Sequence, residues 1–327
     1  MLFVDNRNLT DPRMNLALEE FLLRRVTLDD TLFLLYVNEP AVILGRNQNV
    51  LEEVNLEYTE AQGIHVIRRI SGGGAVYHDE GNLNFSFITN DPADIQNFAK
   101  FTGPIIDALN GLGVPAEFRH KSDIYLGEKK ISGNAQFASG RRVMSHGTVL
   151  FDTYLPTLRQ AIKPNKEGIK SSAVASRRSS VVNTCGFMGE GTTLADLKGA
   201  ILRQLFGAGE VPRYELSEAD WTAVQEMSQK RYHQWTWNIG RSPNFTVTRN
   251  GRLPLGTVQI EIDVRKGHIS ALSIAGEFLG EQDLQPFYDD LVGARYDRGG
   301  VSAVLEEIDL SYYFGLVDIE DLLGLLY

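Results

Sequence analysis

Three consecutive glycines, Gly72, Gly73 and Gly74, follow an apolar run ending in Arg68-Arg69, within the segment RRISGGGAVYHDEGNLN. A run without Cβ atoms lets bare backbone N–H groups close around phosphate or carboxylate oxygens. Arg69 beside it could give the same anion a bidentate contact. The competing reading is a glycine-rich turn with an exposed arginine. A Walker loop and a dinucleotide fingerprint are excluded, because neither G-x-x-x-x-G-K-[ST] nor a helix-opening G-x-G-x-x-G occurs.

A second group lies in KSDIYLGEKKISGNAQ, residues 121–136. Lys130 ends an alternating strand and directly precedes Ile131-Ser132-Gly133. Facing a glycine nest, it would stabilise charge developing on a phosphate; on a bare hairpin it would simply be solvated. Asp123 could orient an amine, a lysine or a magnesium ion, or be a surface-turn carboxylate. His146-Gly147-Thr148 closes a polar run before an apolar strand, where a lone histidine is more often structural than catalytic. The six histidines, His65, His78, His120, His146, His233 and His268, show no recognised metal spacing, so no metal site is expected. Cys185 reads as a buried structural thiol, since a nucleophile needs a depressed pKa and a nearby base. Singly, these signals indicate an anion-binding enzyme and no more.

The frame around them is globular. A chain of 327 residues suggests two domains, and 43% hydrophobic with 23% charged residues is ordinary folded composition. With 32 Lys+Arg against 42 Asp+Glu, the net charge of −10 is opposite to that of a nucleic-acid binder. Basic residues gather at Arg68-Arg69, Lys129-Lys130, Arg141-Arg142 and between Lys163 and Arg178, which suits a small anionic ligand. No apolar run is long enough for a membrane helix, and MLFVDNRNLTDPR does not read as a signal peptide. One cysteine cannot form an internal disulfide or a cysteine metal cluster. The expectation is a soluble cytoplasmic protein without nucleic-acid or membrane partners.

The elements that must position these residues follow from periodicity. DPRMNLALEEFLLRR predicts a helix capped by Asp11, with Met14, Ala17, Leu18, Phe21 and Leu22 on its buried face and Glu19-Glu20 leading to Arg24-Arg25. Strands are expected at Leu32–Tyr36, Ala41–Leu44 and Ile64–Arg69, and a half-buried one where Phe85 and Phe87 alternate with Asn84, Ser86 and Ile88. A helix over Phe98–Leu112, a hairpin over Ser122–Ser132 turning near Gly127, and a strand over Val143–Phe151 come next. Lys163–Asn183, rich in Ser, Lys, Arg and Gly, reads as a long surface loop. Helical patterns return at Thr193–Phe206 and Ser217–Arg231. Past Ser242-Pro243-Asn244, the strand VQIEIDV, a turn at Lys266-Gly267, a strand to Ile274 and helices near Leu284–Leu291 and Ser302–Glu307 outline a small α+β unit. This order favours an α+β fold with helices on one side of a sheet.

Taken together, RRISGGGAVYHDEGNLNFSF, KKISGNAQ and HGTVLFD resemble the lipoate–protein ligase A family, within the biotin and lipoyl ligase superfamily. NLALEE, PAVILGRNQN from Pro40 and the loop KPNKEGIKSSAVASRRSSVVN support the likeness, which extends over essentially the whole chain. It implies a mixed β-sheet catalytic domain of the biotin/lipoyl ligase type with helices packed on it, residues 1–245, and a small α+β C-terminal accessory domain, residues 246–327. The implied reaction activates lipoate with ATP to lipoyl-AMP and transfers the lipoyl group to a lysine of an acceptor lipoyl domain.

By that resemblance Lys130 is the catalytic lysine, touching both carboxylate and phosphate. Arg69, Gly74, Ala75, Val76, Tyr77 and Lys130 would bind ATP. Ser71, Gly72, Gly73, His78, Lys130, His146, Gly147 and Thr148 would bind lipoate, and Asp123 matches the family aspartate upstream of the lysine. Magnesium is implied with the ATP. The implied partners are apo lipoyl domains of 2-ketoacid dehydrogenases or the glycine-cleavage H protein, met by a monomer. Lys163–Asn183 corresponds to an adenylate-covering loop. Asn134 and Gln136 stand where the best-known ligases carry serine and tyrosine, a departure that bears on acyl-chain selectivity. Two other readings stand beside the ligase: an ATP-independent lipoyl or octanoyl transferase using a cysteine, and a non-catalytic lipoate-binding protein.

Overall fold

The computed structural model describes residues 1–164, 167–253, 256–278 and 283–327. The chain forms two compact units. The first comprises Met1–Arg46, Glu53–Pro164 and Ala175–Gln234; the second comprises Asn47–Glu52, Asn165–Val174 and Trp235–Tyr327.

The first unit is built on a mixed sheet in the order Leu2–Val4, Leu32–Val37, Asn82–Thr89, Arg142–Leu150, Asn134–Ser139. Its first pair is parallel and the others antiparallel. On one face, Phe33, Phe85 and Phe87 pack against Phe101, Ile105 and Leu109 of the helix Phe98–Gly111 and Leu197 and Ile201 of the helix Leu194–Phe206. Phe33 and Phe87 lie 4.6 Å apart between ring centroids, and Phe87 and Phe101 lie 5.4 Å apart. Each such side chain contributes about 2–3 kcal/mol by leaving water.

The other face is not open to solvent. All eight residues of Asn82–Thr89 are buried, where alternation alone suggested half. The helix Pro12–Arg25 covers that side, so helices lie on both faces of the sheet. Asp11 caps it by accepting from the Arg13 amide. Its acidic pair is interior: Glu19 and Glu20 are each 1% exposed. Buried carboxylates persist only when partnered. Glu20 accepts from Arg24 Nε at 2.7 Å, from Tyr232 Oη at 2.9 Å and from Arg231. Tyr232 closes a π-helical turn, Ser228–Tyr232, that continues the helix Glu218–Met227.

Two small sheets complete the unit. Ala41–Leu44 pairs with His65–Arg68 in parallel and with Val76–His78 antiparallel. Ala116–Arg119, Asp123–Leu126 and Lys129–Ser132 form a meander, and Gly127 takes a positive φ of 55° in its tight turn. A register shift between Ile124 and Tyr125 bulges this pairing beside Lys130.

In the second unit, Ile169–Ser171, Phe245–Leu253, Gly256–Arg265 and His268–Phe278 form an antiparallel sheet. Val258, Ile260 and Ile262 enter one core with Phe287, Phe314 and Leu322 from the helices Gln285–Leu291, Leu310–Phe314 and Ile319–Leu326. The expected turn is a two-residue hairpin with Lys266 and Gly267 at positive φ, 52° and 77°. The helix expected at Ser302–Glu307 is Arg298–Leu305, and Phe245–Leu253 is a strand that the sequence pattern did not announce. Within the expected loop Lys163–Asn183, Asn165 and Lys166 lie outside the described residues, while Ile169–Ser171 joins the sheet. Among the described residues no helix is long and apolar enough to cross a membrane.

Removing the Glu20 carboxylate takes away the hydrogen bond from Tyr232 Oη and the ion pairs with Arg24 and Arg231. Glu20→Ala is therefore expected to lower stability by about 3 kcal/mol, read as a lower urea midpoint, with Glu20→Gln intermediate. Equal midpoints for wild type and Glu20→Ala would reject this account.

Candidate active site

The glycine loop is shaped from inside by Arg69. Its guanidinium is 6% exposed and donates to the carbonyls of Ile43 at 3.0 Å and Gly74 at 2.9 Å, to Gly72 O, and to Ser71 Oγ at 3.0 Å. Arg68 is also buried, so this pair is no surface patch. Burial pulls the Arg69 guanidinium down to about 10, with Glu19 and Tyr36 acting the other way. Because the loop carbonyls turn inward, the amides of Gly72, Gly73 and Gly74 meet no acceptor among the described residues. Gly73 adopts a φ of 88°, and a Cβ on Gly45 would lie 2.0 Å from its carbonyl oxygen. Glycine in PAVILGRN thus lets the loop pass close to the neighbouring strand.

Lys130 stands where two cavities meet. The larger, about 420 Å³, is walled by Ala75, Val76 and Tyr77 and by the basic Lys130, Arg159, Lys163, Arg177 and Arg178, with Glu53 its one carboxylate. The smaller, about 240 Å³, runs past Leu16, Tyr36, Ile43, His78, Asn84 and His146. Ala75, Val76, Lys130, Gly133, Thr148, Ser176 and Arg177 belong to both walls. Lys130 Nζ pairs with Asp123 at 3.0 Å, and a Cβ on Gly133 would meet Nζ at 3.1 Å. Its backbone is fixed by the segment 175–183: the Lys130 amide donates to Ser180 O at 2.8 Å, and the Val182 amide to Lys130 O at 3.3 Å. The same segment reaches the glycine loop, where the Ala75 amide donates to Ser176 Oγ at 2.9 Å.

His146 belongs to a buried chain. Ser71 Oγ lies 2.7 Å from its Nε2, and Glu19 Oε2 lies 2.9 Å from its Nδ1. Tyr36 Oη donates to the same carboxylate at 3.1 Å. Ser71 is 0% exposed and lies behind both walls, with its oxygen already engaged by Arg69. The arrangement has the order of a catalytic triad without an accessible nucleophile, so it stabilises the loop rather than attacking a substrate. Gly147 is required beside it, because a Cβ there would fall 1.9 Å from Asn134 Oδ1 and 2.6 Å from Phe85.

Of the residues the sequence nominated, Arg69, Gly73, Gly74, Ala75, Val76, His78, Asp123, Lys130, His146, Gly147 and Thr148 share the smaller cavity. Tyr77 faces the larger one, and Ser71 and Gly72 line neither. Periodicity gave no hint of Leu16, Tyr36 or Asn84, which enter from a helix and two strands far apart in sequence. Arg159, on the helix Leu155–Ala161, carried no signal in the sequence. Gln136, singled out for acyl selectivity, is outside the walls and donates to Ser145, whereas Asn134 is in the smaller wall. Cys185 lines neither cavity. Burial first, then Asp152 at 3.5 Å, raises its thiol pKa, the wrong direction for a nucleophile.

Lys130 thus stands at the junction of a basic cavity and a narrower one on a mixed α+β fold, an arrangement that can hold two anionic groups against one cation. The description of the lipoyl protein ligase A/B catalytic domain matches residues 11–206, and that of the bacterial lipoate protein ligase C-terminus matches residues 242–326. Lipoate-protein ligase LplJ of Bacillus subtilis (strain 168) is 45% identical over 331 residues, covering 100% of both chains. A solved lipoate-protein ligase A bound with ATP is 27% identical with a TM-score of 0.61, over 73% of this chain and 98% of that one. A bi-partite lipoate protein ligase from Thermoplasma acidophilum, described with its E2 lipoyl domain, is 28% identical with a TM-score of 0.62, over 73% of this chain and 96% of that one. The chain belongs to the lipoate–protein ligase family.

Burial first, then Arg69 and His146, pushes the His78 imidazole down to about 3. The unfolded chain therefore takes up this proton first, below the ordinary histidine value of about 6.5. The stability from a neutral His78 is full above that pH and is lost progressively as pH falls towards about 3. His78→Gln is expected to flatten the stability–pH curve between these limits in urea titrations; an unchanged slope would count against it.

Proposed function

We propose that the protein is an ATP-dependent lipoate–protein ligase, and that the position of Lys130 on both cavity walls carries this reading. The larger cavity takes the nucleotide: its basic residues suit a triphosphate, and Ala75, Val76 and Tyr77 border it, with Gly74 next along the chain in the smaller cavity's wall. The smaller cavity takes the acyl chain, with its carboxylate at the Lys130 end. A carboxylate and a triphosphate repel each other, so a cation between them lowers the cost of their approach. The carboxylate attacks the α-phosphorus and pyrophosphate leaves, giving lipoyl-AMP. An acceptor lysine, as a neutral amine, then attacks the acyl carbon, AMP departs and an amide forms. Asp123 fixes the Lys130 ammonium, and the segment 175–183 shields the anhydride from water.

Arg69 supports nucleotide binding by shaping the loop, and Ser71 supports lipoate binding through His146. Among the described residues no cluster of three His, Cys, Asp or Glu side chains could hold a metal. The donor set suits a magnesium ion held mainly by phosphate oxygens, with Glu53 or Asp123 at its edge, where it would neutralise phosphate charge. The acceptor is an apo lipoyl domain, of a 2-ketoacid dehydrogenase or of the glycine-cleavage system, met by a monomer in the cytoplasm. The solved relative described with its E2 lipoyl domain supports that partner class. Catalysis is assigned to residues 1–245, with 246–327 as an accessory domain.

The test is acceptor mass after incubation with lipoate, apo lipoyl domain and magnesium, with and without ATP. Modification that requires ATP and yields AMP is expected; transfer without ATP from an acylated donor would overturn the proposal. Lys130→Ala is expected to slow adenylate formation about a hundredfold or more, whereas Cys185→Ala stays within about twofold of wild type. Loss of transfer in Cys185→Ala would point to the transferase instead.

A further inference from the structure

Glu53 is a carboxylate in a wall of cations. It is 5% exposed and borders the larger cavity with Lys130, Arg159, Lys163, Arg177 and Arg178. A negative charge there opposes a triphosphate, and a buried carboxylate needs partners of its own. Glu53 makes no ion pair among the described residues. Its hydrogen bond is to a peptide: the Ser176 amide donates to Oε1 at 2.9 Å.

Ser176 carries the contact onward. Its Oγ accepts from the Ala75 amide at 2.9 Å, and a Cβ on Gly74 would meet that oxygen at 3.0 Å. The row of open amides at Gly72, Gly73 and Gly74 therefore ends at Ala75, whose amide the segment 175–183 has taken. The neighbours of Ser176 are untied. Ala175, Arg177 and Arg178 are exposed and make no hydrogen bond among the described residues. From Ser179 onward the anchors multiply: Ser179 Oγ lies 3.3 Å from Tyr125 Oη, Ser180 and Val182 bind the Lys130 peptide, and Asn183 Nδ2 donates to Thr153 O at 2.8 Å. Within the described residues of the first unit, Ser176 is thus the anchor on the N-terminal side of the two arginines.

We infer that Glu53 is a positioning residue: by holding the Ser176 amide it pins the covering segment to the glycine loop and keeps Arg177 and Arg178 over the nucleotide until the acyl group is transferred. The inference rests on the ligase reading and deepens it. What the hold prevents is hydrolysis. Water adding to the acyl carbon of lipoyl-AMP breaks the bond to the phosphate oxygen and returns lipoate and AMP, with both water protons passing to solvent. The hold needs an oxygen acceptor at the end of a side chain of this length, which a glutamine also supplies. A role at a metal or at a cation would need the negative charge itself.

The test incubates the full chain with lipoate, ATP and magnesium and measures AMP against acyl groups transferred to an apo lipoyl domain. Glu53→Ala is expected to raise the AMP formed per acyl group transferred about tenfold and to raise KM for ATP, with Glu53→Gln restoring most of the coupling. Ser176→Ala keeps the amide but loses the bond from Ala75, and is expected to fall between them. Trypsin reads the same hold without catalysis. Cleavage after Arg177 or Arg178, located by mass, is expected to speed about tenfold in Glu53→Ala and to return towards wild type in Glu53→Gln. Either reading unchanged in Glu53→Ala would overturn the inference. So would a Glu53→Gln chain as uncoupled as Glu53→Ala, because the charge and not the hold would then be at work. Should Glu53→Ala fail to fold, Ser176→Ala decides by the same two readings, and wild-type values in it would overturn the inference. Absence of ATP-dependent activation by the wild type would instead defeat the ligase reading, while the cleavage still reports on the hold.

Discussion

A buried guanidinium is the constraint on which the site depends. Arg69 cannot reach bulk water, so it must collect carbonyl oxygens, and it collects them from the glycine loop and from the strand Ala41–Leu44. Each carbonyl drawn inward dictates the path of the next peptide. The amides of Gly72, Gly73 and Gly74 are then left without internal acceptors, as an anion site needs. The arginine that seemed the obvious anion ligand therefore acts first as the former around which the loop is bent. Glycine at positions 45 and 73 meets the steric side of the same demand.

Around that loop the Lys130 ammonium is held from three directions. The bulged hairpin presents Lys130, Asp123 fixes its ammonium, and residues 180–182 bind its peptide. Such over-determination is what a site needs when its task is to bring two anions together, since the gain in rate depends on a charge that does not have to reorganise. Segment 175–183 contributes to both parts, because Ser176 binds the glycine loop while Ser180 binds Lys130. Any opening of this segment thus loosens the glycine loop and the lysine together.

The helix Pro12–Arg25 links the two histidines of the smaller cavity, His78 and His146. Asn15 and Glu19, one turn apart, reach His78 through Asn38 and His146 directly. Leu16 between them lines the cavity itself. A helix that is buried on nearly every side is costly to make polar. Here every polar residue it buries has a partner, and the same helix turns that cost into fixed ring orientations.

Apolar periodicity, turn chemistry and local spacing were readable without coordinates. They gave the capped first helix, the hairpin turning at Gly127 and the alternating strand of the second unit, while the resemblance carried by three ordered motifs gave the family and nominated Arg69, Lys130 and His146. What they did not give is polar burial. Glu19 and Glu20 look like a solvated helix face, and Asn84 and Ser86 like a solvated strand face, because a sequence shows a polar residue but not its partner. Those partners lie far along the chain: His146 is 127 residues from Glu19, and Tyr232 is 212 from Glu20. Hydrophobic burial repeats locally with the period of the helix or strand, so sequence records it. The pairing of buried polar groups repeats with nothing, so only the tertiary fold decides which charge is satisfied and by which partner.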